Sequence, residues 1–346
     1  MAAAQEPHTT QPRRVQGETS MSRSKVLAAL GAAIALAFTA PALAQTTLKW
    51  AHVYETPEPY HQQALWAAEE IKKRTNGRYA IQVFAASQLG NENQINEGLG
   101  LGTVDIIYTG TSFAGSIHKP LGISGAPFML RDFNHWKSYR DSKLFRDIAK
   151  GYEDKTRHKV VALTYYGERM VTANKEIKKP EDMKGMKLRV PPAPLYLMMA
   201  KSVGANATPI AFAEVYLALQ QKTVDGQENP LPTIMAKKFY EVQSHVMLTA
   251  HITESLLTIV GTHVWSKLSD ADKKMFDEVL QQAAAKASDE IRAQEQKIAD
   301  ELRKLGKTVV QVDREAFRQA AVALHNDASA GAGWSKAEYD GLQGLK

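Results

Sequence analysis

Polar and apolar positions alternate over residues 47–54, which predicts a strand, and Thr56-Pro57-Glu58-Pro59 turns the chain after it. Residues 60–75 carry Leu65, Ala68 and Ile71 at helical spacing and stop at Asn76-Gly77, so a helix is expected there. Alternation returns over 78–84. Residues 92–101 read as a helix and 104–108 as a buried strand. Strand, helix, strand, helix, strand is the order of an α/β domain with parallel pairing. The pattern restarts near His158. An apolar strand is expected over 159–165, and a short helix over 179–185 with Pro180 at its start and Gly185 as its stop. A strand over 187–190 puts Leu188 and Val190 on one face and Lys187 and Arg189 on the other. Helices are expected over 193–203 and 213–222.

From Ser269 to Leu305 the chain is rich in Ala, Glu, Gln, Lys and Arg and then meets Gly306. This stretch reads either as one or two surface helices or as a single helix that backs two domains. A strand over 308–312 and a helical tail through Trp334 complete the pattern. The mature length permits two domains.

The N-terminus adds an export signal. Ser22-Arg23-Ser24-Lys25 is basic, 26–40 is apolar and Ala-rich, and Ala42-Leu43-Ala44 fits a signal peptidase site. Cleavage before Gln45 is expected, with residues 1–44 an N-terminal extension and signal peptide, and a periplasmic mature protein. Charge changes the picture little. The chain has 43 Lys+Arg and 37 Asp+Glu, a mild excess with no basic block interleaved with aromatics, so no nucleic-acid surface is expected. It contains 0 cysteines, which excludes disulfides, thiol catalysis and cysteine metal sites.

Most candidate chemistry reads as structural. Gly98-Leu99-Gly100-Leu101-Gly102 stands at a helix end and before a strand, the reverse of a dinucleotide loop, and suits a helix cap. Asp105 reads as a turn or cap. The ten histidines show no helical metal spacing, no serine sits in a nucleophile elbow, and no cofactor or metal is expected. His52, at the end of the first strand, reads as a core histidine or a cleft residue. Arg169 and Arg189 differ. Each lies in an apolar, strand-like stretch, Arg189 at a strand end, where a planar fork of donors suits a carboxylate. Two such arginines suggest an anion site.

The runs Asp182-Met-Lys-Gly-Met-Lys-Leu-Arg-Val-Pro191, Ala205-Asn-Ala-Thr-Pro-Ile-Ala-Phe-Ala-Glu-Val-Tyr-Leu-Ala-Leu-Gln220 and Val224-Asp-Gly-Gln-Glu-Asn-Pro230, with Phe239-Tyr-Glu-Val-Gln243 and Ser87-Gln-Leu-Gly90, resemble the C4-dicarboxylate-binding type of TRAP-transporter periplasmic solute-binding proteins. The resemblance covers the mature chain nearly end to end. It implies an α/β, two-lobed periplasmic-binding-protein-like fold with a central ligand cleft and a long lobe-spanning helix. Lobe I would comprise residues 45–166 and 254–294, lobe II residues 167–253 and 295–346.

The resemblance also implies roles. Arg189 matches the arginine that pairs with a ligand carboxylate, Arg169 a second cleft arginine, Asn229 an amide on the same carboxylate and Phe212 an aromatic packed on the ligand. Glu92 falls where some relatives contact ligand hydroxyls, and His52, Tyr54 and Tyr108 lie near the lobe I wall. Members that bind sialic acid carry an acidic residue where this chain has Gly110 and an asparagine where it has Val53. A smaller organic acid anion is therefore expected: a C4-dicarboxylate, a sugar acid, or a hydroxy or oxo acid. The implied partners are the TRAP permease membrane subunits. The alternatives are a ligand-presenting sensor subunit and an enzyme acting on sugar acids.

Overall fold

The computed structural model describes residues 45–346, so the expected signal segment lies outside the described residues. Strand β1 (Thr46–Ala51) buries Leu48 and Trp50 and exposes Lys49, as its alternation requires. A helix, Pro59–Arg74, leads to β2 (Tyr79–Phe84), and a second, Glu92–Leu101, to β3 (Ile106–Gly110). Both β2 and β3 pair with β1 in parallel. Gly102 ends the second helix at φ 74°, the left-handed cap its position suggested. β3 starts later than the apolar run because Asp105 has another task. Its carboxylate accepts the Lys49 N–H at 2.7 Å and lies 2.8 Å from His263 Nε2.

The expected strand over 159–165 is longer. β4 runs Lys159–Ala173, 15 residues, straight through Gly167. Beyond it lie β5 (Lys187–Val190), β6 (Asn206–Pro209), β7 (Gly226–Pro230), β8 (His245–Met247), β9 (Thr253–Val260) and β10 (Thr308–Val310). The strand order is β2-β1-β3-β9-β4-β7-β5-β6, with β8 on β4 and β10 on β8. β4 serves two sheets. Residues from Lys159 to Glu168 pair antiparallel with β9, and Arg169 to Ala173 pair antiparallel with β7. The register shifts between Tyr165 and Gly167, just before the changeover. Gly167 has φ 121°, and a Cβ there would lie 2.7 Å from Pro230 Cβ, so both backbone and space call for glycine.

Residues from Ser269 onward form one helix, Asp270–Lys304, of 35 residues. Ser269 caps it by accepting the Asp272 N–H at 3.1 Å. Phe276, Val279, Leu280, Ala283, Ala287, Ile291, Ile298 and Leu302 make a buried stripe along it, against β4 and the helix Pro59–Arg74. The tail departs from expectation. It is broken into Arg314–Val322, a 3-10 turn at Ala328–Ala330 and Lys336–Gln343, with Gly331 at φ 102° between the last two. Apolar side chains gather in two clusters, one around Trp50, Ile107, Leu257 and Phe276, the other around Val171, Leu188, Met199 and Phe317. No described helix is long and apolar enough to cross a membrane.

Candidate functional site

β5 lies between β6 and β7, both parallel to it, and Leu188 and Val190 anchor it in the second apolar cluster. Arg189 points the other way but is also buried, 1 % exposed. Its Nε and Nη2 both donate to the Ile210 carbonyl, at 2.9 and 2.6 Å. Its Nη1 has no hydrogen-bond partner among the described residues. Burial pulls the guanidinium down to about 10, against the opposing pull of Glu228, so it stays charged at neutral pH.

Arg169 follows the β4 bulge and is bound differently. Its Nε and Nη2 both reach the Glu228 carboxylate, Nη2 also donates to Asn229 Oδ1 at 3.3 Å, and Nη1 lies 3.6 Å from Glu254 Oε2. The Tyr196 ring centroid lies 5.0 Å from its guanidinium carbon. Burial would raise the Glu228 carboxyl, but Arg169, with His251 at 3.1 Å, holds it at about 2. Glu254 has weaker support. Burial carries it up to about 7 despite Arg169, and its Oε2 makes no hydrogen bond.

Asn229, on β7 beside Arg169, donates Nδ2 to Gln227 at 2.7 Å, and its Oδ1 lies 3.4 Å from the Tyr166 hydroxyl. Glu92 opens its helix, after an Asn91–Gln94 capping box, and lies 3.3 Å from the Tyr54 hydroxyl. Burial raises it to about 7, with Arg189 and then Arg169 pulling the other way. Phe212 stands 6.2 Å from the Tyr54 ring, and Lys237 caps it at 5.2 Å. His52 stacks on Tyr54 at 5.8 Å, and its Nε2 is 3.0 Å from His61 Nδ1. Burial, then His61, lower it to about 3, so it is neutral. Tyr108 lies deeper, packed on Trp50 at 4.9 Å and His52 at 5.9 Å, and burial alone raises its hydroxyl.

The fold thus gathers Arg169, Arg189, Asn229 and Glu92 around one set of charges, with Phe212 reaching it through Tyr54. His52 and Tyr108 form an aromatic floor beneath Tyr54. Sequence reading missed the acids Glu228 and Glu254 and the rings of Tyr166 and Tyr196. Glu228 had a signal, since a buried Arg169 demands a carboxylate and Glu228 sits in the same motif as Asn229. Gly110 also gains a reason. A Cβ there would lie 2.8 Å from the Tyr196 hydroxyl. Among the described residues no group of three or more His, Asp or Glu has metal-holding geometry.

The family model of bacterial extracellular solute-binding proteins, family 7 (DctP), matches residues 50–330. The chain belongs to this family. As a family 7 member it resembles the sialic acid-binding periplasmic protein SiaP of Vibrio cholerae, 32% identical over 296 residues, which cover 86% of this chain and 92% of that one. It also resembles the 2,3-diketo-L-gulonate-binding periplasmic protein YiaO of Escherichia coli, 30% identical over 82% of this chain and 87% of that one. Among solved structures, a TRAP periplasmic solute-binding protein of Polaromonas bound to D-erythronate superposes with TM-score 0.81 at 33% identity, covering 87% of this chain and 99% of that one. One from Haemophilus influenzae with bound L-gulonate gives TM-score 0.82 at 27% identity, covering 87% and 100%. The family 7 chain is thus a mixed α/β, two-lobed binding protein with the role of a transporter receptor.

Proposed function

We propose that this family 7 protein captures a small organic acid anion by its carboxylate in the periplasm, at Arg189 and Asn229, and delivers it unchanged to a TRAP permease in the membrane. The observation that carries this reading is the unpartnered Nη1 of a buried arginine. With Nε and one Nη2 hydrogen committed to Ile210, the Nη1–Nη2 end is the fork that remains for two parallel bonds to a carboxylate. The second hydrogen of Asn229 Nδ2 adds a third donor. Arg169, already neutralised by Glu228, supports Asn229 and adds field. Phe212 with Tyr54 forms an apolar wall, and Glu92, His52 and Tyr108 line or underlie the lobe I side.

Charge favours a monoanion. Two arginines face one firmly ionised acid, Glu228, while Glu92 and Glu254 sit near 7 and readily hold a proton. With both protonated, one positive charge is left over, and one arriving carboxylate balances it. Relatives carrying D-erythronate and L-gulonate make a polyhydroxy monocarboxylate the leading ligand class. The close approach of Tyr196 to Gly110 leaves little room for an acidic side chain at 110, which fits a smaller ligand than sialic acid. The two sheets that share β4 support two lobes that meet near Gly167 and close on the ligand, since only the closed form brings both walls to it.

Titration calorimetry with D-erythronate and L-gulonate tests the site. Arg189→Ala should lose roughly 2–5 kcal/mol of binding, about 30- to several-thousand-fold. Arg189→Lys should also bind poorly, since an ammonium lacks the planar fork. Wild-type affinity in Arg189→Ala would overturn the assignment.

A further inference from the structure

Glu58 is buried, 1 % exposed, yet no basic side chain makes a hydrogen bond or ion pair with it among the described residues. Its Oε2 accepts the Glu55 N–H at 2.7 Å, closing the turn before the helix Pro59–Arg74. Its Oε1 meets two hydroxyls, those of Tyr60 and, at 2.7 Å, Thr233. Thr233 belongs to the short helix Leu231–Ala236, which follows β7 directly. Thr233 Oγ1 lies 3.1 Å from the Tyr166 hydroxyl, and that hydroxyl lies 3.4 Å from Asn229 Oδ1. A continuous chain of polar atoms therefore runs from the turn after β1 to the amide at the anion site. Beside it, Lys237 pairs with Glu55 at 2.8 Å and covers the Phe212 ring.

We propose that Glu58 is a positioning residue for the carboxylate-binding amide: a hydrogen-bond relay from Glu58 through Thr233 and Tyr166 holds Asn229 with its Nδ2 toward the ligand. This rests on the reading of Asn229 as a carboxylate donor. Each hydroxyl in the relay has one proton to give. With the Tyr166 proton on Asn229 Oδ1 and the Thr233 proton on Tyr166, Thr233 Oγ1 can accept from Tyr60 at 3.1 Å, but its 2.7 Å contact with Glu58 Oε1 needs a proton from the glutamate. The carboxyl in its acid form supplies one. Burial, opposed mainly by the Tyr60 bond, raises Glu58 to about 7, so the acid form is accessible at neutral pH. Asn229 Oδ1 then accepts from both Tyr166 and Arg169. Both contacts are long, and with the 2.7 Å bond from Asn229 Nδ2 to Gln227 they define which end of the carboxamide is the donor. A glutamine at 58 reproduces this pattern, with its oxygen on the Glu55 N–H and its Nε2 on Thr233.

The test is titration of D-erythronate and L-gulonate into full-length mature protein, its variants and one double-mutant cycle. Thr233→Val keeps the shape and removes the hydroxyl, and should weaken binding about 5- to 20-fold, the scale of one buried hydrogen bond. Thr233→Ser and Glu58→Gln should stay within about twofold of wild type, inside the noise of such a substitution. In an Asn229→Ala background the effect of Thr233→Val should vanish, because its route to the ligand is gone. An undiminished effect in that background, or none in the wild-type background, overturns the relay. Failure of the underlying site shows differently, as unchanged affinity in Asn229→Ala and Arg189→Ala themselves. Should neither acid bind the wild-type protein, the side-chain amide resonances of Asn229 decide: a shift in Thr233→Val reversed in Thr233→Ser supports the relay, and identical spectra overturn it.

Discussion

At the scale of single residues, the two arginines differ in what already holds them. Arg169 is neutralised by Glu228, and removing it strands a buried carboxylate at the centre of the protein. Arg169→Ala should cost about 3–5 kcal/mol of stability. Arg189 makes its hydrogen bonds only to a carbonyl and feels Glu228 and Glu92 at a distance, so Arg189→Ala relieves a buried charge with no carboxylate in contact and should leave the ligand-free protein melting at or above the wild-type temperature. Calorimetric melting of both variants checks the contrast. Equal destabilisation would mean that Arg189 is structural. Both arginines were legible because a charge amid strand-forming apolar residues stands out. Their acids were not, since Glu228 and Glu254 look like any surface glutamate until β7 and β9 are placed on either side of β4. Tyr166 and Tyr196 were hidden for a related reason: aromatic residues in apolar runs read as core.

Among the elements, β4 is the most demanding. Its changeover at Gly167 is pinned by the long helix, where Glu295 accepts the Glu168 N–H at 2.6 Å and the Tyr165 hydroxyl at 2.8 Å. Gly167→Ala should destabilise by about 1–3 kcal/mol from the backbone conformation alone, with the Pro230 contact adding to it. Chemical denaturation measures this, and an unchanged midpoint would show that the strand does not need its bulge. Helices with one buried stripe were readable from periodicity, the 35-residue helix included, although its continuity was not. β9 was not readable. All eight of its residues are buried, so it has no alternation to detect. The extension of β4 past Tyr165 was masked by Gly167, which resembles a strand terminator until the bulge gives it work. The helices Phe133–Arg140 and Lys143–Thr156 were passed over although the second has a clear buried face of Phe145, Ile148, Ala149 and Tyr152.

For the molecule as a whole, buried acids set the response to pH. Glu58, Glu92, Glu254 and Glu295 are each raised by burial to about 7. A raised acid binds protons more tightly folded than unfolded, so its contribution is full below about 4.5 and is lost as pH rises through 7. His52, lowered to about 3, works oppositely, as do His61, His118, His135, His158, His251 and His325, each lowered mainly by burial: as pH falls through about 6.5 the unfolded imidazoles take up protons that the folded ones refuse. Between about pH 7 and 8, where unfolded imidazoles are mostly neutral, the carboxyls prevail, and the melting temperature should fall as pH rises. A flat or rising profile would show that these acids are ionised in the folded protein. The same protons couple to binding. A carboxylate arriving beside Arg189 raises Glu92 further, so calorimetry in phosphate and in Tris should give different apparent enthalpies, with net proton uptake near pH 7. Equal enthalpies would place Glu92 outside the site. The described residues also form one compact unit, and the shared strand explains why. One sheet draws on residues 46–168 and 253–260, the other on 169–247 and 308–310, so no single break in the chain separates them. A single genetic crossover therefore cannot exchange one half for a relative's. Exchanging one wall while keeping the other takes several crossovers at matched positions, whereas a point substitution alters either wall alone.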